Sequence, residues 1–212
     1  AAYRAAKLRL FAELLPEGAP GAINADMEPE TLAALRAIAA RRRLALRSVG
    51  TAAGATYQLL EAVPQPEGQR LVLRAHGRVQ EIDLALPGRF QADNALLAAA
   101  LAEATFAPDA LARLSTLRGV RGRMERAALL PNGAAAYVEY AHTPDALARL
   151  LAALRPHARR LVVVFGAGGD RDRGKRAPMG AAASAGADLV IVTDDNPRSE
   201  KPALIRAEIL AG

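Results

Sequence analysis

Three short segments of this chain carry residue types that grip anions and amino acids. They are Glu139-Tyr140-Ala141-His142, the glycine-rich run Gly166-Ala167-Gly168-Gly169-Asp170-Arg171-Asp172-Arg173-Gly174-Lys175-Arg176, and Asp195-Asn196-Pro197-Arg198. The last sets a carboxylate, an amide and a guanidinium around a rigid proline, which is equipment for holding both the ammonium and the carboxylate of an amino acid. The same four residues also make an ordinary Asn-Pro turn, and both readings stand at this point. In the glycine-rich run, Gly169 to Lys175 keeps the spacing of a phosphate-cradling P-loop. Arg176, however, stands where a P-loop needs Ser or Thr to offer a hydroxyl to magnesium, and the intervening Asp-Arg-Asp-Arg is too charged. The run is not a dinucleotide fingerprint either, because Arg171 occupies the place of the third glycine. His142 by itself is more often structural than catalytic.

Each segment follows an apolar run that must position it. Leu161-Val162-Val163-Val164-Phe165 and Leu189-Val190-Ile191-Val192 are continuous and β-branched, as strands covered on both faces are. Residues 134–140 read as a further strand. Helices are expected at 144–154, at about 175–185 and at 202–210. The first is well marked: Thr143 caps it, Pro144 suits its first position, and Leu147, Leu150, Leu151 and Leu154 form one stripe that belongs in a core. Such alternation means parallel strands with right-handed crossovers, and ligands then bind beyond the carboxyl ends of the strands. The three polar segments are therefore expected to line one crevice.

Upstream, residues 3–15 have helical spacing and stop at Pro16, residues 21–25 read as a short strand, and a helix is expected over 29–43. Strands are expected at 45–49, 55–62, 70–75 and 79–86. An alanine-rich helix follows over 90–105, with a second helix ending near Leu117. A domain boundary is expected at 117–121, giving an α/β chain of two domains, 1–118 and 119–212.

Composition narrows the partners. The chain is 51% apolar, enough to bury a core, and contains no cysteine, which removes disulfides, thiolate metal sites and a cysteine nucleophile. No stretch approaches the roughly 18 continuous apolar residues of a membrane span, and the N-terminus lacks the order of a signal peptide, so the cytoplasm is the expected location. A net charge of +6 invites nucleic acid, but aromatic residues are only 4% of the chain and stacking platforms are scarce. The Arg41-Arg42-Arg43 run closes a helix, where cations meet the dipole favourably. Small anionic substrates remain a natural partner, with neither nucleic acid nor membrane expected.

Four motifs together resemble the Mur ligase family, and within it the diaminopimelate-adding branch. They are Gly119-Val120-Arg121-Gly122-Arg123-Met124-Glu125-Arg126, Tyr140-Ala141-His142-Thr143-Pro144-Asp145-Ala146-Leu147, the run from Phe165 to Arg176, and residues 194–198, in the right order and at familiar spacing. With Tyr3-Arg4-Ala5-Ala6-Lys7-Leu8-Arg9-Leu10-Phe11 and Asn94, the similarity spans nearly the whole chain. The resemblance implies that 1–118 is the later part of a central ATPase-type domain. It implies that 119–212 is a Rossmann-like C-terminal ligase domain with a mostly parallel sheet. It also implies a reaction with ATP and Mg2+. ATP phosphorylates the D-glutamate side-chain carboxylate of UDP-N-acetylmuramoyl-L-alanyl-D-glutamate, and the amine of meso-diaminopimelate displaces phosphate to form an amide. Positioning and electrostatics would carry most of the catalysis.

In that resemblance Lys7 matches a lysine carbamylated by carbon dioxide, whose oxygens suit magnesium; taken alone, Lys7 reads as a helix-surface lysine. Asn94, Arg121 and His142 match positions around the nucleotide, with Glu139 beside them. Arg171, Asp195, Asn196 and Arg198 match the amino-acid pocket, Arg198 facing the distal carboxylate of diaminopimelate. Glu139 stands where the family usually has Asp, Gln91 where it has Asn, and Ala167 where a cysteine is common. The family's uridine-binding domain and true P-loop would precede residue 1 and part of the pocket would follow Gly212, so this chain by itself is expected to be a monomeric piece without ligase activity. The rival readings are a sister ligase adding L-lysine, a folylpolyglutamate-type ligase, a non-catalytic α/β module that holds an anion in the 166–176 loop, and a P-loop kinase.

Overall fold

A face of alanines sets how closely helix and sheet approach in the first part of the molecule. The computed structural model describes residues 2–65 and 67–212; Ala1, with which the first expected domain opens, lies outside the described residues. The described residues form two compact units dividing between Arg118 and Gly119.

The first unit runs α1 (Ala2–Arg9), β1 (Pro20–Asn24), α2 (Pro29–Arg42), β2 (Ala45–Gly50), β3 (Tyr57–Gln65), β4 (Gly68–Ala75), β5 (Arg78–Leu84) and α3 (Arg89–Thr105). Its five strands form one sheet in sequence order, with β1–β2 and β2–β3 parallel and β3–β4 and β4–β5 antiparallel. Glu28 caps α2, its carboxylate accepting from the backbone N–H groups of Glu30 and Thr31, and Arg43 ends it in the left-handed conformation. α3 buries Ala92, Ala95, Leu96, Ala99 and Ala100 on one face, a three-four spacing whose small side chains let it lie close on the sheet. That face meets Val49, Tyr57, Leu59, Leu71, Leu73 and Leu84 in the main core.

Beside this core, the buried Glu103 carboxylate accepts from the Tyr57 hydroxyl at 2.5 Å, Arg47 Nη1 at 3.3 Å and the backbone N–H of Leu111 at 2.9 Å. Burial first, and the Glu103 hydrogen bond second, push the Tyr57 hydroxyl up to about 12. β4 and β5 are joined by His76 and Gly77 alone, at φ 52° and 74°. Two positive φ values in a two-residue loop are the type I′ turn that matches strand twist.

Two expectations in this unit change. The helix expected over 3–15 is α-helical only to Arg9 and continues as a wider π-turn over Leu10–Leu14. The second helix expected before Leu117 is a 3₁₀ segment, Ala112–Thr116, whose Leu114 docks into the core; five residues are too few for α-helical packing.

The second unit runs β6 (Glu125–Leu129), β7 (Ala135–Val138), α4 (Pro144–Leu154), β8 (Val162–Phe165), α5 (Arg176–Gly186), β9 (Leu189–Val192) and α6 (Pro202–Leu210). α4 begins as its sequence dictates, with Thr143 Oγ1 accepting from the N–H of Ala146 and Leu147, Leu151 and Leu154 buried. β8 and β9 pair in parallel from Val162↔Leu189 to Phe165↔Val192.

The strand expected at 134–140 does not join them as the first of a parallel series. β7 pairs antiparallel with β6, and among the described residues no ladder links it to β8. The cause is local: Asn132 Oδ1 accepts from the N–H of Ala134, and Gly133 at φ 82° donates to Leu130 O, which folds the chain straight back. The expectation that β8 and β9 are covered on both faces also changes. Ile205 and Ile209 of α6 pack with Phe165 and Val192 on the side where Val163 is buried, while Val162 and Val164 on the other side are 46% and 59% exposed.

Candidate functional site

The loop after β8 and the loop after β9 are built to touch. A Cβ on Gly166 would lie 2.5 Å from Thr193 O, and one on Gly169 only 1.8 Å from Pro197 O. Only glycine permits that approach. The contact is then fastened by hydrogen bonds: Gly169 N–H donates to Asn196 O at 2.9 Å, and Arg198 Nη1 donates to Gly169 O at 2.5 Å. Asp170 accepts from the Ser199 N–H at 3.1 Å and from the Ser199 hydroxyl at 2.6 Å, while its own N–H donates to Glu200 Oε1 at 2.7 Å.

Asp170 and Arg198 both sit at positive φ, 52° and 49°, the left-handed region that residues with a Cβ adopt less readily than glycine. Asn196 Oδ1 accepts from the Arg198 N–H at 3.2 Å, closing the Asn-Pro-Arg turn. The turn and the candidate pocket are thus one object. Asp195, Asn196 and Arg198 sit together at the carboxyl end of β9, and Arg171 is exposed on the facing loop one residue past Asp170.

A second group gathers after β7. Glu139 Oε2 accepts from the Met124 N–H at 2.7 Å, Arg123 lies 4.9 Å over the Tyr140 ring, and the Tyr140 and His142 rings stand 5.2 Å apart. His142 is exposed, its Nδ1 3.2 Å from Tyr140 O. Arg121 is exposed in the turn between Val120 and Arg123. Lys175 Nζ donates to His142 O at 2.8 Å, which ties this group to the end of the glycine-rich run. Of the three segments expected in one crevice, two are laced directly and the third is joined through Lys175. Lys7 and Asn94 lie in the first unit: both are exposed, Lys7 on α1 with its ammonium 5.3 Å from the Tyr3 ring, Asn94 on the side of α3 turned from the sheet.

The comparisons speak to both units. The Mur ligase middle domain matches residues 1–102 and the Mur ligase glutamate ligase domain matches residues 122–212. The chain belongs to the Mur ligase family. A UDP-N-acetylmuramoyl-L-alanyl-D-glutamate–2,6-diaminopimelate ligase from Caulobacter vibrioides is 52% identical over 212 residues, 99% of this chain and 43% of that relative. This Mur ligase chain therefore spans less than half the length of such relatives. Among solved structures, a ligase of the same description is 33% identical with a TM-score of 0.63, over 100% of this chain and 43% of the other. The Mycobacterium tuberculosis folylpolyglutamate synthase complexed with ADP and AMPPCP is 26% identical with a TM-score of 0.67, over 91% of this chain and 43% of its own. No helix among the described residues is long and apolar enough to cross a membrane.

Sequence reasoning passed over the ion cluster beneath this Mur ligase's loops. Arg176 is fully buried; Nη1 donates to Glu200 Oε2 at 2.8 Å and Glu208 Oε2 at 2.7 Å, and Nη2 donates to Glu200 Oε1 at 2.8 Å and Gly168 O at 3.3 Å. Arg176 was the residue that spoiled the P-loop pattern, and an arginine opening a small-residue helix was the signal available. The Arg176 hydrogen bonds hold the Glu200 carboxyl down to about 2, from an ordinary 4.5. Asp170 and Glu208 are also lowered, chiefly by Ser199 and Arg173. A carboxylate whose pKa is depressed on folding stabilises the native state above its unfolded value and loses that contribution as pH falls through its folded value. Melting temperature should therefore fall between pH 4.5 and about 2, and Glu200→Gln should flatten that acid limb in a thermal melt series.

Proposed function

We propose that this chain carries the nucleotide-facing and amino-acid-binding parts of a cytoplasmic, monomeric ligase that adds meso-diaminopimelate to UDP-N-acetylmuramoyl-L-alanyl-D-glutamate at the expense of ATP. The observation that carries the reading is Arg198, held at φ 49° with its guanidinium bonded to Gly169 O beside Asp195 and Asn196. A fixed guanidinium next to an amide and a carboxylate matches an amino acid with a second carboxylate at its far end. The 52% identity to a diaminopimelate-adding relative supports the same substrate.

The chemistry proceeds in two balanced steps. An oxygen of the D-glutamate side-chain carboxylate takes the γ-phosphoryl group of ATP and ADP leaves. The diaminopimelate nitrogen then bonds to the acyl carbon, phosphate leaves with the carbon–oxygen electron pair, and the nitrogen gives up a proton. Arg171, Asp195, Asn196 and Arg198 orient the incoming amino acid so that its amine meets the acyl carbon, which is where effective concentration is gained. Asn94, Arg121, Glu139 and His142 face the nucleotide in this reading. Magnesium, when bound, supplies the charge that screens the phosphates. Lys7 is exposed on α1 and, as a carbamate, would offer hard oxygens to it. Among the described residues no cluster of three or more acidic, histidine or cysteine side chains is poised for a metal, so phosphate oxygens and water would complete the shell, as magnesium prefers.

The test is phosphate release by the complete reading frame with ATP, Mg2+ and the UDP-muramoyl dipeptide, comparing meso-diaminopimelate with L-lysine. Release that requires diaminopimelate is the expected result, with lysine at least about 100-fold poorer in kcat/KM because it leaves Arg198 unpaired. Equal use of lysine would overturn the substrate, and no release with either would overturn the reaction.

A further inference from the structure

Arg176 does more than join two helices. It opens α5, yet its guanidinium reaches Glu208 on α6, Glu200 in the loop after β9 and Gly168 O in the loop after β8. Placing a cation fully out of solvent is costly and is offset only when several anionic or carbonyl acceptors surround it. Fastening α5 to α6 would need Glu208 alone, which Arg173 also pairs. Glu200 adds something different, because Oε1 accepts from Arg176 Nη2 and also from the backbone N–H of Asp170. Asp170 in turn holds Ser199. A continuous chain of hydrogen bonds thus runs from a buried cation to Asp170 and Ser199, next to the Gly169–Arg198 contact that aims the pocket guanidinium.

We infer that Arg176 is a positioning residue for the amino-acid pocket, acting through Glu200 to hold the two loops in register. The assignment rests on the proposed function for its substrate, and not for its geometry. Asp170 and Arg198, both left-handed, lie on opposite sides of the seam, and each is fastened to the other loop by hydrogen bonds. Glu200 supplies that constraint on the Asp170 side and the Gly169 carbonyl on the Arg198 side. The guanidinium fork of Arg176 is necessary, since a lysine ammonium cannot bond both Glu200 oxygens in one plane while reaching Glu208.

The experiment compares Glu200→Gln, Glu208→Gln and Arg176→Lys in the complete reading frame, with two readouts. In steady-state assays, Glu200→Gln and Arg176→Lys should each raise the KM for meso-diaminopimelate about tenfold, the equivalent of one charge-assisted hydrogen bond, with the KM for ATP within about threefold. Glu208→Gln should move neither by more than about threefold, although it too removes one charge from Arg176. In hydrogen exchange, the amides of Gly169, Asp170 and Ser199 should exchange at least about tenfold faster in Glu200→Gln and unchanged in Glu208→Gln. Equal effects of the two glutamine variants on KM, or unaltered exchange in Glu200→Gln, overturn the assignment. If the parent protein releases no phosphate with diaminopimelate, the proposed function falls, and the exchange contrast still decides whether Arg176 and Glu200 hold the loops.

Discussion

Replacing Arg198 with alanine is expected to raise the KM for meso-diaminopimelate by up to about 100-fold while leaving the KM for ATP within about threefold. Arg198 is exposed, so the loss is that of charged hydrogen bonds, roughly 1.5–3 kcal/mol, and every 1.4 kcal/mol is tenfold in affinity. Two features of Arg198 sharpen the experiment. Its backbone is left-handed at φ 49°, so alanine retains the conformational strain and glycine relieves it. Its Nη1 also bonds Gly169 O, so some of the loss arises from the loop it aims. Arg198→Gly should therefore melt higher than Arg198→Ala yet bind the amino acid no better, which would assign the loss to charge. If glycine restored affinity, backbone conformation would be the determinant instead. Arg198→Lys should recover only part, because an ammonium meets a carboxylate as a point and not as a fork.

The second large effect is expected at Gly169. A methyl group there would stand 1.8 Å from Pro197 O, so the loops after β8 and β9 must separate by more than an ångström or the backbone must refold. Either breaks the Gly169–Asn196 hydrogen bond and displaces Arg198. A displacement of about 1 Å costs on the order of 100-fold in rate when reaction depends on orientation. Gly169→Ala is therefore expected to lose about 100-fold in kcat/KM for diaminopimelate and about 1–3 kcal/mol of stability, the usual toll of overpacking. Gly174→Ala is the control, since its added carbon meets only the movable Asp172 carboxylate at 3.2 Å. Activity within threefold of the parent in Gly169→Ala would mean that the seam between the loops is not part of the pocket.

Much of this was legible in the residues. The Thr143-Pro144 start of α4, the parallel pair at 162–165 and 189–192, and the alanine face of α3 all follow from capping, β-branching and spacing. The glycines of 166–169 were weighed only against phosphate and dinucleotide loops, and their close approach to residues 193–197 belongs to the folded structure. β6 escaped because Glu-Arg-Ala-Ala-Leu carries no β-branched residue; it is a strand because Asn132 and Gly133 turn β7 back onto it, and that turn was the readable sign. The Arg176 cluster escaped for a different reason. Glu200 and Glu208 lie 24 and 32 residues away, and such pairings are fixed by tertiary packing with no local pattern to announce them. Arg198 and Asp195–Asn196 were found as types at a strand end, whereas the left-handed backbone that aims Arg198 belongs to the folded loop alone.

The His76–Gly77 turn sets the two ends of the first unit's sheet apart in the loops they must close. β4 and β5 are closed by two residues already shaped to the strand twist, so that hairpin can form in about 1–10 μs from neighbouring chain. β1 and β2, by contrast, meet in parallel only after α2 has crossed between them, and their contact carries the entropy of a far longer loop. The antiparallel end of the sheet thus closes over two residues and the parallel end over a whole crossover helix, so the two ends of one sheet carry unequal loop-closure costs.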